Sequence, residues 1–139
     1  MIRPATSADV AEIHTLIVEL AIYEREPDAV VATVEQIEEN LFGADPVAYC
    51  HVAEIDGQVV GIAIWFLNYS TWLGKAGLYL EDLFVKPEFR SRGLGLQLMK
   101  ALAQILYKAK VFVFLRDVAY LPRWLNWQDG GQAYSRSRV

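Results

Sequence analysis

Cysteine is almost missing from this chain. Cys50 is the only one in 139 residues, so no intrachain disulfide can form and a cytoplasmic setting is the default expectation. Histidine is nearly as scarce: His14 and His51 have no cysteine or histidine partners at metal-ligand spacing, and no metal site is expected. Long apolar runs are absent too. None reaches the ~20 residues of a membrane-spanning helix, and the opening Met1-Ile2-Arg3-Pro4 contains no apolar signal segment, so no membrane partner is expected. Positive charge is in deficit, with 13 Lys and Arg against 17 Asp and Glu and a net charge of −4. That balance disfavours nucleic-acid binding, which needs clustered cations against phosphate. It is compatible with a small cationic substrate drawn into an acidic cleft. What the chain does have is apolar mass: 54 % hydrophobic and 12 % aromatic residues, enough for the core of one domain over 1–139.

The spacing of those apolar residues predicts the elements. Met1 to Pro4 reads as a short strand. Thr6 or Ser7 caps a helix with Asp9 near its positive end, and Val10, Ile13, Ile17, Leu20 and Ala21 form its apolar stripe as far as Tyr23. A loop follows, broken by Pro27. Thr33 with Gln36 forms a capping box for a short helix that Gly43 stops. Residues 47–55 and about 58–67 read as strands joined by a two-residue Asp56-Gly57 turn. Asn68 to Gly77 reads as a loop, Leu78 to Val85 as a third strand ended by Pro87, and Leu94 to Leu106 as a second long helix. Val111 to Leu115 is one more strand. This order implies an α/β (α+β) domain with a mixed sheet.

The stretch Leu83-Phe84-Val85-Lys86-Pro87-Glu88-Phe89-Arg90-Ser91-Arg92-Gly93-Leu94-Gly95 carries the chemistry. A strand delivers the chain to a tight turn, and glycines remove side chains where a helix begins. The free amides at a helix start favour an anion, and Arg90 and Arg92 add charge. The product is a pyrophosphate cradle made mainly of backbone, or, read more plainly, a helix start with a glycine turn and solvated arginines. A Walker loop is excluded because no Gly-Lys-Ser or Gly-Lys-Thr follows. A dinucleotide fingerprint fits poorly, since it wants three glycines in the first strand-helix unit.

Arg90-Ser91-Arg92-Gly93-Leu94-Gly95 resembles the Arg/Gln-x-x-Gly-x-Gly/Ala loop of the GCN5-related N-acetyltransferase superfamily. Ile2-Arg3-Pro4-Ala5-Thr6, Glu19-Leu20-Ala21-Ile22-Tyr23-Glu24, Ser70-Thr71-Trp72-Leu73-Gly74-Lys75 and Leu78-Tyr79-Leu80-Glu81-Asp82-Leu83-Phe84-Val85 are similar to the spermidine/spermine and thialysine acetyltransferase subfamily. The resemblance covers about residues 1–108. It implies the acyl-CoA N-acyltransferase fold, and direct transfer of the acetyl group of acetyl-coenzyme A to a primary amine of a polyamine-like or lysine-like substrate. By the same resemblance the amides of Ser91 to Gly95, with Arg90, hold the pyrophosphate, and Leu83, Phe84 and Val85 line the pantetheine arm. Glu81 is the base, acting through water. Tyr23, Glu24, Trp72, Glu81 and Asp82 surround the amine, Glu26 adds negative charge, and the molecule is a homodimer. Read from the residues alone, Glu81 and Leu83 share one strand face while Asp82 and Phe84 take the other. One acid of the pair therefore faces the cleft, and Glu81 is equally open to an anchoring role. Direct transfer leaves Cys50 without a nucleophilic task.

The pattern lapses after the strand ending at Leu115. Relatives continue with Asp-Trp-Asn and a helix carrying Phe-Tyr, whose tyrosine protonates the leaving thiolate. This chain has Arg116-Asp117-Val118-Ala119-Tyr120-Leu121-Pro122-Arg123-Trp124-Leu125-Asn126-Trp127 and then 128–139. The divergent tail 116–139 reads as a truncated or altered end, with Tyr134, or else Tyr120, as the substitute acid. The alternative function is a weak or inactive relative that acts as a coenzyme A-binding or interaction module. The sheet is expected to splay between the strands 78–85 and 111–115 and so admit the cofactor arm.

Overall fold

A computed structural model describes residues 1–72, 74–109, 112–115 and 134–135. Six strands lie in one sheet in chain order: β1 (Ile2–Pro4), β2 (Tyr49–Ile55), β3 (Gln58–Ser70), β4 (Lys75–Val85), β5 (Phe112–Leu115) and β6 (Tyr134–Ser135). The first three pairings are antiparallel, and β4–β5 and β5–β6 are parallel. This is the mixed sheet the sequence implies. Helices α1 (Val10–Tyr23) and α2 (Val34–Phe42) cover one face, and α3 (Leu94–Ala109) covers the other. No helix among the described residues is long and apolar enough to cross a membrane.

Local chemistry explains most boundaries. The capping box at α2 forms as read: Gln36 N–H donates to Thr33 Oγ1 at 3.1 Å and Thr33 N–H to Gln36 Oε1 at 3.0 Å. Asp56 and Gly57 both take positive φ, 50° and 77°, the geometry of a tight hairpin turn. Gly43 does end α2, but not through left-handed backbone, since its φ is −70°. A Cβ there would lie 2.4 Å from the Glu39 carbonyl, so close approach demands the glycine. A 3₁₀ turn, Ser7–Asp9, precedes α1, and the Asp9 carboxylate accepts from the Thr6 N–H at 2.7 Å.

The core divides across the sheet. Val10, Ile13 and Leu16 of α1 and Ile37 and Leu41 of α2 pack on Val52, Ile62, Ile64 and Phe84. Leu94, Leu98, Leu102 and Leu106 of α3 pack on Ala53, Val60, Ala63, Trp65, Leu78 and Leu80. Leu16 belongs to the α1 stripe although the spacing argument passed over it, whereas Ile17 and Leu20 are half-buried at the stripe's edge.

Two expectations change. Asn68 to Gly77 is not a loop. Pairing runs on through Asn68↔Gly77, Tyr69↔Ala76 and Ser70↔Lys75, so β3 and β4 form a long hairpin. Rings that meet across the strands help carry it outward, with Phe66 and Tyr79 centroids 4.9 Å apart. The second change concerns the alternation of β4. Consecutive residues Ile64 and Trp65 pair with Asp82 and Leu80, which leaves Glu81 as an extra residue. As a result Leu80 packs beneath α3 while Phe84 packs beneath α1. Unbroken alternation would put both on one face.

Candidate active site

The site gathers where β4 ends. Pairing of β4 with β5 runs from Gly77↔Phe112 to Leu80↔Leu115. On its other side β4 stays paired with β3 up to Val85. The expected splay beyond Leu80 and Leu115 falls on residues outside those described.

Beyond β4 a short 3₁₀ turn, Pro87–Phe89, leads into the glycine loop. Ser91 and Gly93 take positive φ, 64° and 76°. Positive φ is costly for Ser91, which has a Cβ, and favourable for glycine. The first helical hydrogen bond of α3 runs from Gln97 N–H to the Gly93 carbonyl at 3.0 Å. The amides of Leu94, Gly95 and Leu96 therefore precede any helical acceptor. Gly93 stands at the cap position and has no side chain to satisfy them. A Cβ built on Gly93 or Gly95 would meet nothing within 4 Å among the described residues, so both glycines face open space. Open space, outward amides and the helix's positive end fit a pyrophosphate. The arginines do not simply face solvent. Arg92 lies over the Phe89 ring at 5.2 Å, and Arg90 donates from Nε to the Val85 carbonyl at 2.9 Å.

The Arg90 guanidinium also lies 4.6 Å from the Tyr23 ring centroid and 5.5 Å from that of Phe84. The structure thus joins the last residue of α1 to the glycine loop. Glu24 follows Tyr23 directly as the C-cap of α1, and its N–H reaches the Leu20 carbonyl. His14 Nε2 lies 2.9 Å from the Ala32 carbonyl and ties the loop after Tyr23 back onto α1.

Glu81 and Asp82 are half-buried, and each is engaged in an interaction. Asp82 lies opposite Ile64, and Ile64 opposite Cys50. Residues directly opposite share a face, so Asp82 lies on the α1 side together with Phe84. Glu81 is the bulge residue, so strict alternation along β4 does not fix its face. The apolar run carried a signal of this. Leu78 and Leu80 line the α3 side and Val85 packs there too, a change from even to odd positions that only an added residue produces.

Cys50 is buried, and burial pushes its thiol up to about 12, which removes it as a nucleophile. Burial also lowers the His51 pKa; its Nδ1 accepts from the Trp65 indole at 3.2 Å, a structural role. Trp72 stands apart. It is 97 % exposed at the tip of the β3–β4 hairpin. Six residue steps along β3 separate Ser70 from Ile64, the partner of Asp82, or about 20 Å at ~3.3 Å per residue. Tyr134 is placed by its backbone in β6, opposite Phe114, one strand removed from β4. Tyr120, Leu73 and most of 116–139 lie outside the described residues. Among the described residues no group of three or more His, Cys, Asp or Glu is placed to hold a metal ion.

A mixed sheet whose strand β4 leads through a glycine loop into α3 is the architecture of an acyltransferase fold. Residues 8–120 match the acetyltransferase (GNAT) family, and the chain belongs to that family. It is 41 % identical over 113 residues to the thialysine N-epsilon-acetyltransferase of Bos taurus, a match covering 76 % of this chain and 66 % of that protein. It is 38 % identical over 111 residues to the spermidine/spermine N(1)-acetyltransferase-like protein 1 of Homo sapiens, covering 75 % of this chain and 16 % of that one. The chain thus spans slightly less than two thirds of the bovine protein. Among solved structures, the ribosomal-protein-alanine N-acetyltransferase of Brucella melitensis biovar Abortus 2308 superposes with a TM-score of 0.71 at 21 % identity, covering 100 % of this chain and 96 % of that one. That likeness concerns the fold.

Proposed function

We propose that this protein is an N-acetyltransferase that moves the acetyl group of acetyl-coenzyme A directly to a primary amine of a small polyamine-like or lysine-like substrate. The observation that carries the reading is the glycine loop after β4, whose positive-φ turn at Gly93 opens α3 with the amides of Leu94 to Leu96 ahead of any helical acceptor. An extended donor arm pairs with backbone at Leu83, Phe84 and Val85, and its pyrophosphate sits on the amides of Ser91 to Gly95 with Arg90 and Arg92 adjacent. The names of the bovine and human relatives support an amine acceptor.

In the transfer, the substrate ammonium loses one proton through water to Glu81 and the neutral nitrogen attacks the thioester carbonyl. A C–N bond forms, the C–S bond breaks, and a thiolate leaves, to be protonated by a phenol such as Tyr134, while the nitrogen sheds its second proton to solvent, from which the phenolate is reprotonated. A β4 amide aimed at the carbonyl oxygen stabilises the developing charge, and a bulge at Glu81 is a means of aiming it. Tyr23, Glu24 and Asp82 attract and orient the cationic acceptor. The exposed hairpin residues Leu67, Tyr69 and Trp72 are apolar surface suited to a second copy of the chain. In the resulting homodimer Trp72 serves the partner's acceptor pocket; a monomer in light scattering at micromolar concentration would rule this out.

Calorimetric titration of the purified protein with acetyl-coenzyme A tests the donor site. Saturable binding that dephosphorylated pantetheine does not reproduce supports the pyrophosphate cradle, and no binding refutes the reading. Binding without turnover on spermidine or thialysine favours the binding-module alternative, for which the divergent tail after Leu115 is the reason.

A further inference from the structure

The peptide joining Val85 to Lys86 fixes the direction of a carbonyl. Its N–H donates to the Val60 carbonyl of β3 at 2.9 Å. In a planar trans peptide the C=O points the opposite way, so the Val85 carbonyl faces the side of β4 away from β3. Arg90 occupies that carbonyl through Nε at 2.9 Å. The same guanidinium is seated 4.6 Å from the centroid of Tyr23, which closes α1 and is 61 % exposed. Helix α1 has no basic residue in its own last turn, so Arg90 supplies from another element the charge that a helix C-terminus favours. Phe84 closes the triangle, with its ring 6.4 Å from Tyr23 and 5.5 Å from the guanidinium.

We infer that Arg90 is a positioning residue that couples the two ligand sites: its guanidinium bridges the donor-side edge of β4 at Val85 and the acceptor-side end of α1 at Tyr23. The inference rests on the acetyltransferase reading. One planar group is held by both sites at once, so a donor arm that pairs along Val85 reorders the guanidinium, and Tyr23 registers the change. Planarity matters here. Lysine keeps the charge but has neither the Nε–H beside the Val85 carbonyl nor a flat face for the ring.

The test is the affinity of thialysine, measured by calorimetry with and without saturating coenzyme A, which carries no acetyl group and so allows no turnover. In the parent protein coenzyme A is expected to tighten thialysine binding by about two- to fivefold, the scale of one exposed cation–π contact. In Arg90→Lys that factor falls to about one, with coenzyme A kept saturating in each protein whatever its own affinity. Tyr23→Leu removes the ring and gives the same loss; Tyr23→Phe keeps the ring and the coupling. Both positions are exposed, so these variants fold. A residue needed only for loop structure would change coenzyme A affinity and leave the ratio intact. The inference is overturned by a parent that binds the two ligands independently, or by a coupling factor that survives both Arg90→Lys and Tyr23→Leu. A parent that binds no coenzyme A overturns the acetyltransferase reading along with it.

Discussion

Glu81 and Asp82 are chain neighbours with different surroundings, and their replacement separates base from anchor. As the base, Glu81 changed to Gln lowers kcat by about 10²- to 10⁴-fold, with coenzyme A affinity close to the parent's, because the proposed pyrophosphate cradle is the glycine loop and not β4. Asp82→Asn, on the face shared with Phe84 and the α1 side, raises the amine KM with a smaller effect on kcat. Steady-state kinetics of both variants against thialysine decide it, and an unchanged kcat and pH profile for Glu81→Gln removes Glu81 as the base. The residue types of the site were readable in the sequence, because acids, arginines and glycines announce their chemistry. Their directions were not. Parity counted along β4 put Leu80 beside Phe84, and the bulge at Glu81 resets that parity. The contacts of Arg90 with Tyr23 and Val85 join residues far apart in the chain, and no local spacing encodes them.

Elements were more legible than side-chain directions where short-range chemistry sets them. Thr33 with Gln36 and Asp56 with Gly57 gave a cap and a turn that the structure reproduces. The β3–β4 hairpin was misjudged because Asn68, Ser70 and Gly77 favour loops by propensity, whereas cross-strand pairing overrides propensity in an extending ladder. The glycine loop supports a prediction of its own. Gly93 takes a φ of 76° and faces open space, so valine there is strained in the backbone and fills the anion's approach. Gly93→Val weakens coenzyme A binding by at least tenfold, a loss calorimetry reads directly. Gly95→Ala, at a residue without positive φ, is milder. Equal affinity for Gly93→Val and the parent would remove the loop as the cradle.

At the scale of the molecule, one ionic cluster ties distant parts of the chain. Arg3 of β1 makes a bidentate contact with Asp9 at 2.8 and 2.9 Å and reaches Glu54 of β2 at 2.6 Å. The hydrogen bonds from Arg3 hold the Asp9 carboxyl at about 2, below its ordinary 3.8. A depressed carboxyl contributes stability above its unfolded pKa and loses it as pH falls through the folded one. The contribution, about 2 kcal/mol, is therefore complete above pH ~4 and gone near pH ~2. Urea midpoints measured from pH 2 to pH 6 should fall toward acid in the parent. Asp9→Asn should start lower and show a flatter acid limb. Parallel curves for the two proteins would mean that Asp9 titrates alike folded and unfolded.

The strands β2, β3 and β4 follow one another in space as they do in the chain, and their first turn is the two-residue Asp56-Gly57 link. The consequence is kinetic. Strands joined by so short a loop meet within microseconds, whereas β1 must wait for closure across more than 40 residues to reach its place beside β2. The meander is thus placed to form the folding nucleus, with β1 and the Arg3 cluster arriving late. Gly57→Ala, which strains the positive φ of the turn, should slow refolding and leave unfolding nearly unchanged. Arg3→Met should instead accelerate unfolding at an almost constant refolding rate. Stopped-flow chevrons of the two variants distinguish this order from one in which the N-terminal strand docks first.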